Sequence, residues 1–264
     1  MGRRSKNITR ASVAHKELTA RTCGSKDLYV PGIKTTEIPS KGNTYRVPGV
    51  TTGRVHHLLS SLEYAYFLKL DFDDLVSDIM EQYLLPIKET TLIAARAHID
   101  PPRSYNNVIL HTSTDFLFCR DGVWYARAVK PSSALSSRRT REKLEIEHLY
   151  WKEQNVDWKV ITEEDLDVRY TRGIEFIRSG VPLPELIPNP EQFQEACAAF
   201  LECYKNPRIH FSTLTEYFTR YYGLPAGGGL QIFKHLIISG HICIDLGSPY
   251  LLTDPKRCTV WRES

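Results

Sequence analysis

Three polar residues, far apart along the chain, have the types that hydrolyse phosphodiesters: Glu63, Asp115 and Lys130. Carboxylates bind hard divalent cations through oxygen, and an ammonium group beside them can orient an attacking water, help to deprotonate it and offset charge on the scissile phosphate. Asp115 and Lys130 delimit a stretch in which two β-rich runs, Thr114–Arg120 and Val123–Lys130, flank Asp121-Gly122. That dipeptide suits the positive φ angles of a type I′ hairpin turn. With Arg120 facing Val123, Asp115 falls opposite Ala128. Alternation then puts Asp115, Ala128 and Lys130 on one face, with Asp115 and Lys130 diagonal neighbours about 7 Å apart. Read alone, this is a cross-strand salt bridge. A lone aspartate is also a poor Mg²⁺ site, so a second acid is needed. Glu63, in Ser60-Ser61-Leu62-Glu63, is the best upstream candidate, and the same Ser-x-x-Glu spacing is equally a helix capping box.

In this order the residues resemble the PD-(D/E)xK nuclease core, in which a helix Glu precedes a hairpin carrying Asp and then x-x-Lys. With Leu70–Asp73, Glu81-Gln82-Tyr83, Thr114-Asp115-Phe116, Val129-Lys130-Pro131 and Glu142–Glu147 through Trp151, the sequence is similar to TnsA, the endonuclease family of heteromeric bacterial transposases. The likeness covers about residues 55–170 by motif and extends to the C-terminus by architecture. It implies a Mg²⁺ site, with Mn²⁺ as a possible substitute, held by Glu63 and Asp115, with Lys130 aligning and activating water; a further ligand would come from a backbone carbonyl such as that of Val129, from water or from DNA. From its own place within Leu75–Lys88, Gln82 could hydrogen-bond behind the ligands, with a structural role as the equal alternative. The resemblance also implies cleavage of the 5′, non-transferred strand at transposon DNA ends, in a complex with a TnsB-type transposase and a TnsC-type AAA+ ATPase. One departure matters. The position two before the lysine, acidic in the superfamily and Gln in the TnsA family, is Ala128, which offers no side-chain oxygen. A nuclease-fold scaffold that has lost turnover is therefore the alternative. A free-standing restriction or repair nuclease is a third reading.

Composition bounds the rest. A chain of 264 residues, 42% hydrophobic and 25% charged, is long enough for one large or two modest domains. No run approaches the ~20 apolar residues of a membrane span, and no apolar segment follows the charged N-terminus, so a cytoplasmic protein with no membrane partner is expected. Six cysteines form no C-x-x-C pair, and nine histidines form no H-E-x-x-H pattern, which speaks against disulfides and zinc chemistry. Net charge is +3, but residues 1–60 hold eleven Lys or Arg against three acids, leaving the remainder at −5. A basic arm on a near-neutral body suits phosphate attraction.

The elements that must position the candidates follow from periodicity. Residues 1–50 have no sustained period and read as a basic arm, with Tyr29, Val30, Ile33 and Val47 available to dock it. An endonuclease-like α/β domain, a mixed sheet flanked by helices, is expected over 51–180. Leu58, Leu59, Leu62, Tyr66, Phe67 and Leu70 mark a helix over 55–70. A strand within Leu75–Lys88, a strand or short helix over Thr91–Ile99, a helix over 138–154, a strand at Trp158–Ile161 and a helix over 163–179 follow. On the helix over 138–154, Glu142, Glu145 and Glu147 are placed on wet faces, and Arg138, Arg139 and Arg141 at its start could grip DNA phosphate. Four prolines in residues 181–190 make a stiff linker and the domain boundary. Residues 191–264 show three helices, the third over Leu230–Ile238, then a hairpin of Ile242–Asp245 with Tyr250–Thr253, which is the order of a winged helix. Its third helix offers only Gln231, Lys234 and His235, so docking of a protein, the TnsC-type ATPase in the TnsA family, competes with DNA binding.

Overall fold

In a computed structural model, residues 9–21, 28–37, 42–180 and 182–260 are described. The basic residues Arg3, Arg4 and Lys6 of the expected arm lie outside them. The chain divides into two compact units between Leu166 and Asp167.

The first unit is built on the hairpin. Strands β4 (Ser113–Arg120) and β5 (Val123–Val129) are joined by Asp121 at φ +50° and Gly122 at φ +73°, with Arg120 paired to Val123 as the type I′ turn requires. Strand β3 (Val76–Leu84) pairs antiparallel with β4, and β6 (Asp157–Ile161) pairs parallel with β5, giving a mixed sheet in the order β3-β4-β5-β6. A parallel neighbour needs a crossover, which α4 (Arg138–Glu153) supplies. Alternate residues of β4 face opposite layers. Phe116 and Phe118 meet Tyr66 of α2 (Ser61–Asp71), whereas Leu117, with Ala126 of β5, packs on Ile93 and Ala94 of α3 (Ile87–Arg96) and on Ile146, Tyr150 and Trp151 of α4. Each large apolar side chain so withdrawn from water contributes roughly 2 kcal/mol.

Three expectations for this unit are revised. Val55–Leu58 is not the start of a helix but strand β2, antiparallel to β1 (Tyr45–Pro48); His56 and Leu58 are fully buried on one side of it, and the helix begins only after the Ser60 cap. The arm is partly regular, with α1 (Arg10–Arg21) capped by reciprocal Thr9 and Ser12 bonds and anchored by buried Val13. Glu147 is buried, not wet.

The second unit packs α5 (Val168–Arg178), the one-turn α6 (Leu183–Leu186), α7 (Pro190–Lys205), α8 (Phe211–Tyr221) and α9 (Gly228–Ile238) around Phe200, Tyr204, Phe218 and Phe233. The proline-rich stretch is not a linker here. Leu183 and Ile187 are each 2% exposed and fasten it inside the unit, and the Lys234 ammonium of α9 donates to the carbonyl and hydroxyl of Ser179 at 2.8 and 2.7 Å. That bond also removes Lys234 from the exposed face expected for α9. The helix expected over 163–179 divides into a 3-10 turn at Glu163–Asp165 and α5, because Asp167 caps α5 from outside. The expected hairpin changes partner. Tyr250–Thr253 forms turns, while Ile244 makes an antiparallel bridge to Thr259, flanked by Asp245 N–H to Cys258 and Val260 N–H to Cys243.

Candidate active site

The β4–β5 ladder runs from Arg120↔Val123 to Phe116↔Arg127 and stops one step before Asp115. Instead of continuing backbone to backbone, the Val129 N–H donates to Asp115 Oδ2 at 2.6 Å. The Lys130 ammonium donates to the same oxygen at 2.5 Å and to the Val129 carbonyl at 3.1 Å, while its own N–H is held by the Ile161 carbonyl of β6. Aspartate and lysine therefore share one side of the ribbon, as the register requires, and Ala128 between them is fully buried. Burial opposes the charge on Lys130, but Asp115 overrides it and raises the ammonium above the usual lysine range, so Lys130 is a cation at neutral pH.

Glu63 arrives from the first turn of α2. Ser60 caps that helix, accepting from Glu63 N–H at 3.1 Å, and its hydroxyl donates to Glu63 Oε1 at 3.0 Å. The other carboxylate oxygen accepts the Leu59 N–H at 2.9 Å and the Gln82 side-chain amide of β3 at 3.0 Å. The residue at the capping-box position is thus the candidate ligand, and its carboxylate accepts the Leu59 N–H in place of the Ser60 N–H that a capping box would use. Its carboxyl is pushed up to about 7, first by burial and then by the negative charge of Asp115, so the two carboxylates sense one another inside a poorly solvated space.

Glu147 of α4 joins this neighbourhood, and sequence reasoning missed it. Its carboxylate accepts from Trp158 Nε1 at 2.9 Å, and burial, then Asp115, lifts its carboxyl to about 8. The signal was present: Leu144, Tyr150 and Trp151, at three and four residues' distance, are all buried on the stripe that contains Glu147. A second missed group lies across β3. The carboxylate of Glu81 accepts from Arg54 at 3.0 and 2.6 Å, from His56 at 2.8 Å and from the His57 N–H at 3.0 Å.

Clustered carboxylates with raised pKa and oxygen donors suit a hard divalent cation, whose charge would relieve their repulsion. Among the described residues no three His, Cys, Asp or Glu side chains converge closely enough to hold an ion alone. Two carboxylates would need the Val129 carbonyl, water or phosphate to complete a shell. The arginines at the start of α4 are engaged within the protein: Arg139 with the Asp100 and Pro101 carbonyls and Glu142, Arg141 with the Leu135 and Ser136 carbonyls, and the highly exposed Arg138 with Glu142.

Two family models match in tandem, a TnsA-like endonuclease N-terminal domain over residues 73–163 and a TnsA endonuclease C-terminal domain over residues 165–246. The chain belongs to the TnsA endonuclease family. The junction between the two matches coincides with the division of the fold at Leu166. The chain is also 36% identical over 184 residues to transposon Tn7 transposition protein TnsA of Escherichia coli, covering 68% of this chain and 66% of that protein. The sheet, the hairpin and the Glu63–Asp115–Lys130 neighbourhood fall in the N-terminal part of this TnsA-family chain. Among its described residues no helix is long and apolar enough to cross a membrane.

Proposed function

We propose that the protein is the Mg²⁺-dependent DNA endonuclease subunit of a transposase. It cuts the 5′, non-transferred strand at transposon ends, within a cytoplasmic bacterial assembly containing a TnsB-type transposase and a TnsC-type AAA+ ATPase. What supports this reading is the Asp115–Lys130 contact at the end of the β4–β5 hairpin, with the buried Glu63 carboxyl of α2 near enough to feel the charge of both. Glu63 and Asp115 would hold the ion, with the Val129 carbonyl as a backbone ligand. Mg²⁺, when bound, supplies positive charge against the developing oxyanion. Asp115 Oδ2 accepts from the Val129 N–H and the Lys130 ammonium, which holds the carboxylate in place for the ligand role it would have. Being an ammonium, Lys130 orients the water and neutralises the phosphate instead of removing a proton.

The second unit, a helical body without the hairpin of a winged helix among its described residues, serves as the docking module. Burial of Lys234 strips a cation from α9, while Tyr217 and Tyr221 stand exposed and stacked on α8, 5.7 Å apart. An aromatic, weakly basic surface favours a protein such as the TnsC-type ATPase over DNA. Strand-specific nicking of transposon-end DNA in the presence of both partners tests the reading: Asp115→Ala and Lys130→Ala, each with its fold intact, should abolish the 5′ cut, and an undiminished cut would sink it. Ala128 favours one second reading, a non-cleaving scaffold with the same fold. Calorimetric titration of Mn²⁺ in the presence of DNA separates the two, because only the enzyme requires ion binding.

A further inference from the structure

Gln82 sits inside strand β3, where residues are extended, yet its φ is +51°. A non-glycine residue keeps this left-handed conformation, at a cost, only when its surroundings enforce it. Those surroundings are specific. The Gly32 N–H donates to the Gln82 carbonyl at 3.0 Å, and the Tyr29 hydroxyl donates to the Glu81 carbonyl at 2.9 Å. Close approach at Gly32 requires glycine, because a Cβ there would lie 2.0 Å from Leu84 Cγ. From the other direction, Arg54, His56 and the His57 amide pin the Glu81 carboxylate. The ladder registers the result: the pairs Glu81↔Phe116 and Tyr83↔Thr114 skip Gln82 and, across from it, Asp115. Both Glu81 and Gln82 are buried, and the Gln82 amide reaches Glu63 Oε2 at 3.0 Å.

We propose that Gln82 is a positioning residue for the cation site: the clamp of Tyr29, Gly32 and the Arg54–Glu81–His56 cluster holds it left-handed so that its amide fixes the Glu63 carboxylate. The inference rests on the reading of Glu63 and Asp115 as metal ligands and adds the device that aims one of them. A neutral amide suits the task. It donates a hydrogen bond without bringing a positive charge that would compete with the ion for Glu63. Groups of this kind, behind the ligands, typically govern metal affinity by 10–100-fold.

The experiment is calorimetric titration of Mn²⁺ into the full chain, alongside thermal melting. Gln82→Asn keeps a residue that tolerates the left-handed region but withdraws the amide by one methylene. Its Mn²⁺ dissociation constant should rise about tenfold or more, with the melting temperature held within a few degrees. Gly32→Ala, whose new methyl meets Leu84 and not Glu63, should weaken Mn²⁺ binding in the same direction by displacing the clamp. A dissociation constant for Gln82→Asn within twofold of the parent overturns the proposal. Should that variant melt early, Gln82→Gly, which relaxes the left-handed residue, is judged by the same criterion. A parent whose Mn²⁺ binding is unchanged by Asp115→Ala overturns the reading of the ligands themselves, which is a different result from failure of Gln82 alone.

Discussion

Two buried ionic clusters lie on either side of one short stretch of β3, and they respond oppositely to burial. At Glu81 the carboxylate gathers four donors from Arg54, His56 and His57; burial opposes its charge, but the His56 and Arg54 bonds overcome it and hold the carboxyl down at about 2. At Glu63 and Glu147 the carboxyls are lifted to about 7 and about 8, because Asp115 adds repulsion to burial and Lys130 is the nearby cation for all three. The same cost of burying charge is settled internally in one cluster and left open in the other. An unsettled cluster is where an added cation has the most to contribute, so the contrast separates the part that holds the fold from the part arranged for chemistry.

Removing charge should therefore have opposite consequences in the two places. Asp115→Ala or Lys130→Ala should reduce 5′ nicking by about 10³-fold or more, the scale expected for loss of transition-state electrostatics. Glu81→Ala, which leaves Arg54 buried and unpaired, should lower unfolding free energy by roughly 3 kcal/mol in denaturant titration, and its cutting should fall only as the folded fraction falls. Equal destabilisation by Asp115→Ala and Glu81→Ala would erase the distinction.

Acid sharpens it further. A folded pKa of about 2 at Glu81 means that its contribution is present above the ordinary carboxylate range near 4.5 and is lost as pH falls towards 2. Glu147 has the reverse sign, since its folded pKa of about 8 makes stability decline as pH rises from about 4.5 to 8. Glu147→Gln should flatten that decline in pH-dependent melting, and Glu81→Gln should not. The smallest effect belongs to the surface. Arg138→Ala breaks an exposed pair with Glu142 and should change stability by less than about 0.5 kcal/mol; a clear loss of DNA affinity in a gel-shift assay would show that this arginine serves phosphate after all.

Local chemistry made part of this legible in the sequence. The hairpin was readable because Asp121-Gly122 demands positive φ and the flanking residues favour strands. The body of α2 is readable from Leu62, Tyr66, Phe67 and Leu70, although its start lies at the Ser60 cap and not at residue 55, and α4 is readable because its apolar positions, Leu144 to Trp151, recur over two turns. What escaped depended on partners distant in sequence. Val55–Leu58 carries helix-compatible apolar spacing and becomes β2 only because β1 offers a ladder. The charge of Glu147 points to water while its helical position points to the core, and Lys234 turns inward only because its acceptor is the distant Ser179. The proline-rich stretch looked like a spacer, yet Leu183 and Ile187 anchor it, so the boundary moved upstream to Leu166. In the site, Asp115, Lys130 and Glu63 were readable as types and spacing. The left-handed turn at Gln82 was not, since nothing local to glutamine asks for it.

The interrupted ladder beside Asp115 bears on how such a protein could lose its activity over time. That carboxylate doubles as a stitch in the weave, accepting the amide of Val129 where a carbonyl would ordinarily do so. Lys130 joins the weave through its backbone N–H to Ile161, which a change of side chain keeps, so its replacement leaves the weave undisturbed. A lineage drifting from cutter to bystander would then shed the lysine early and retain the aspartate long after its chemistry had ceased.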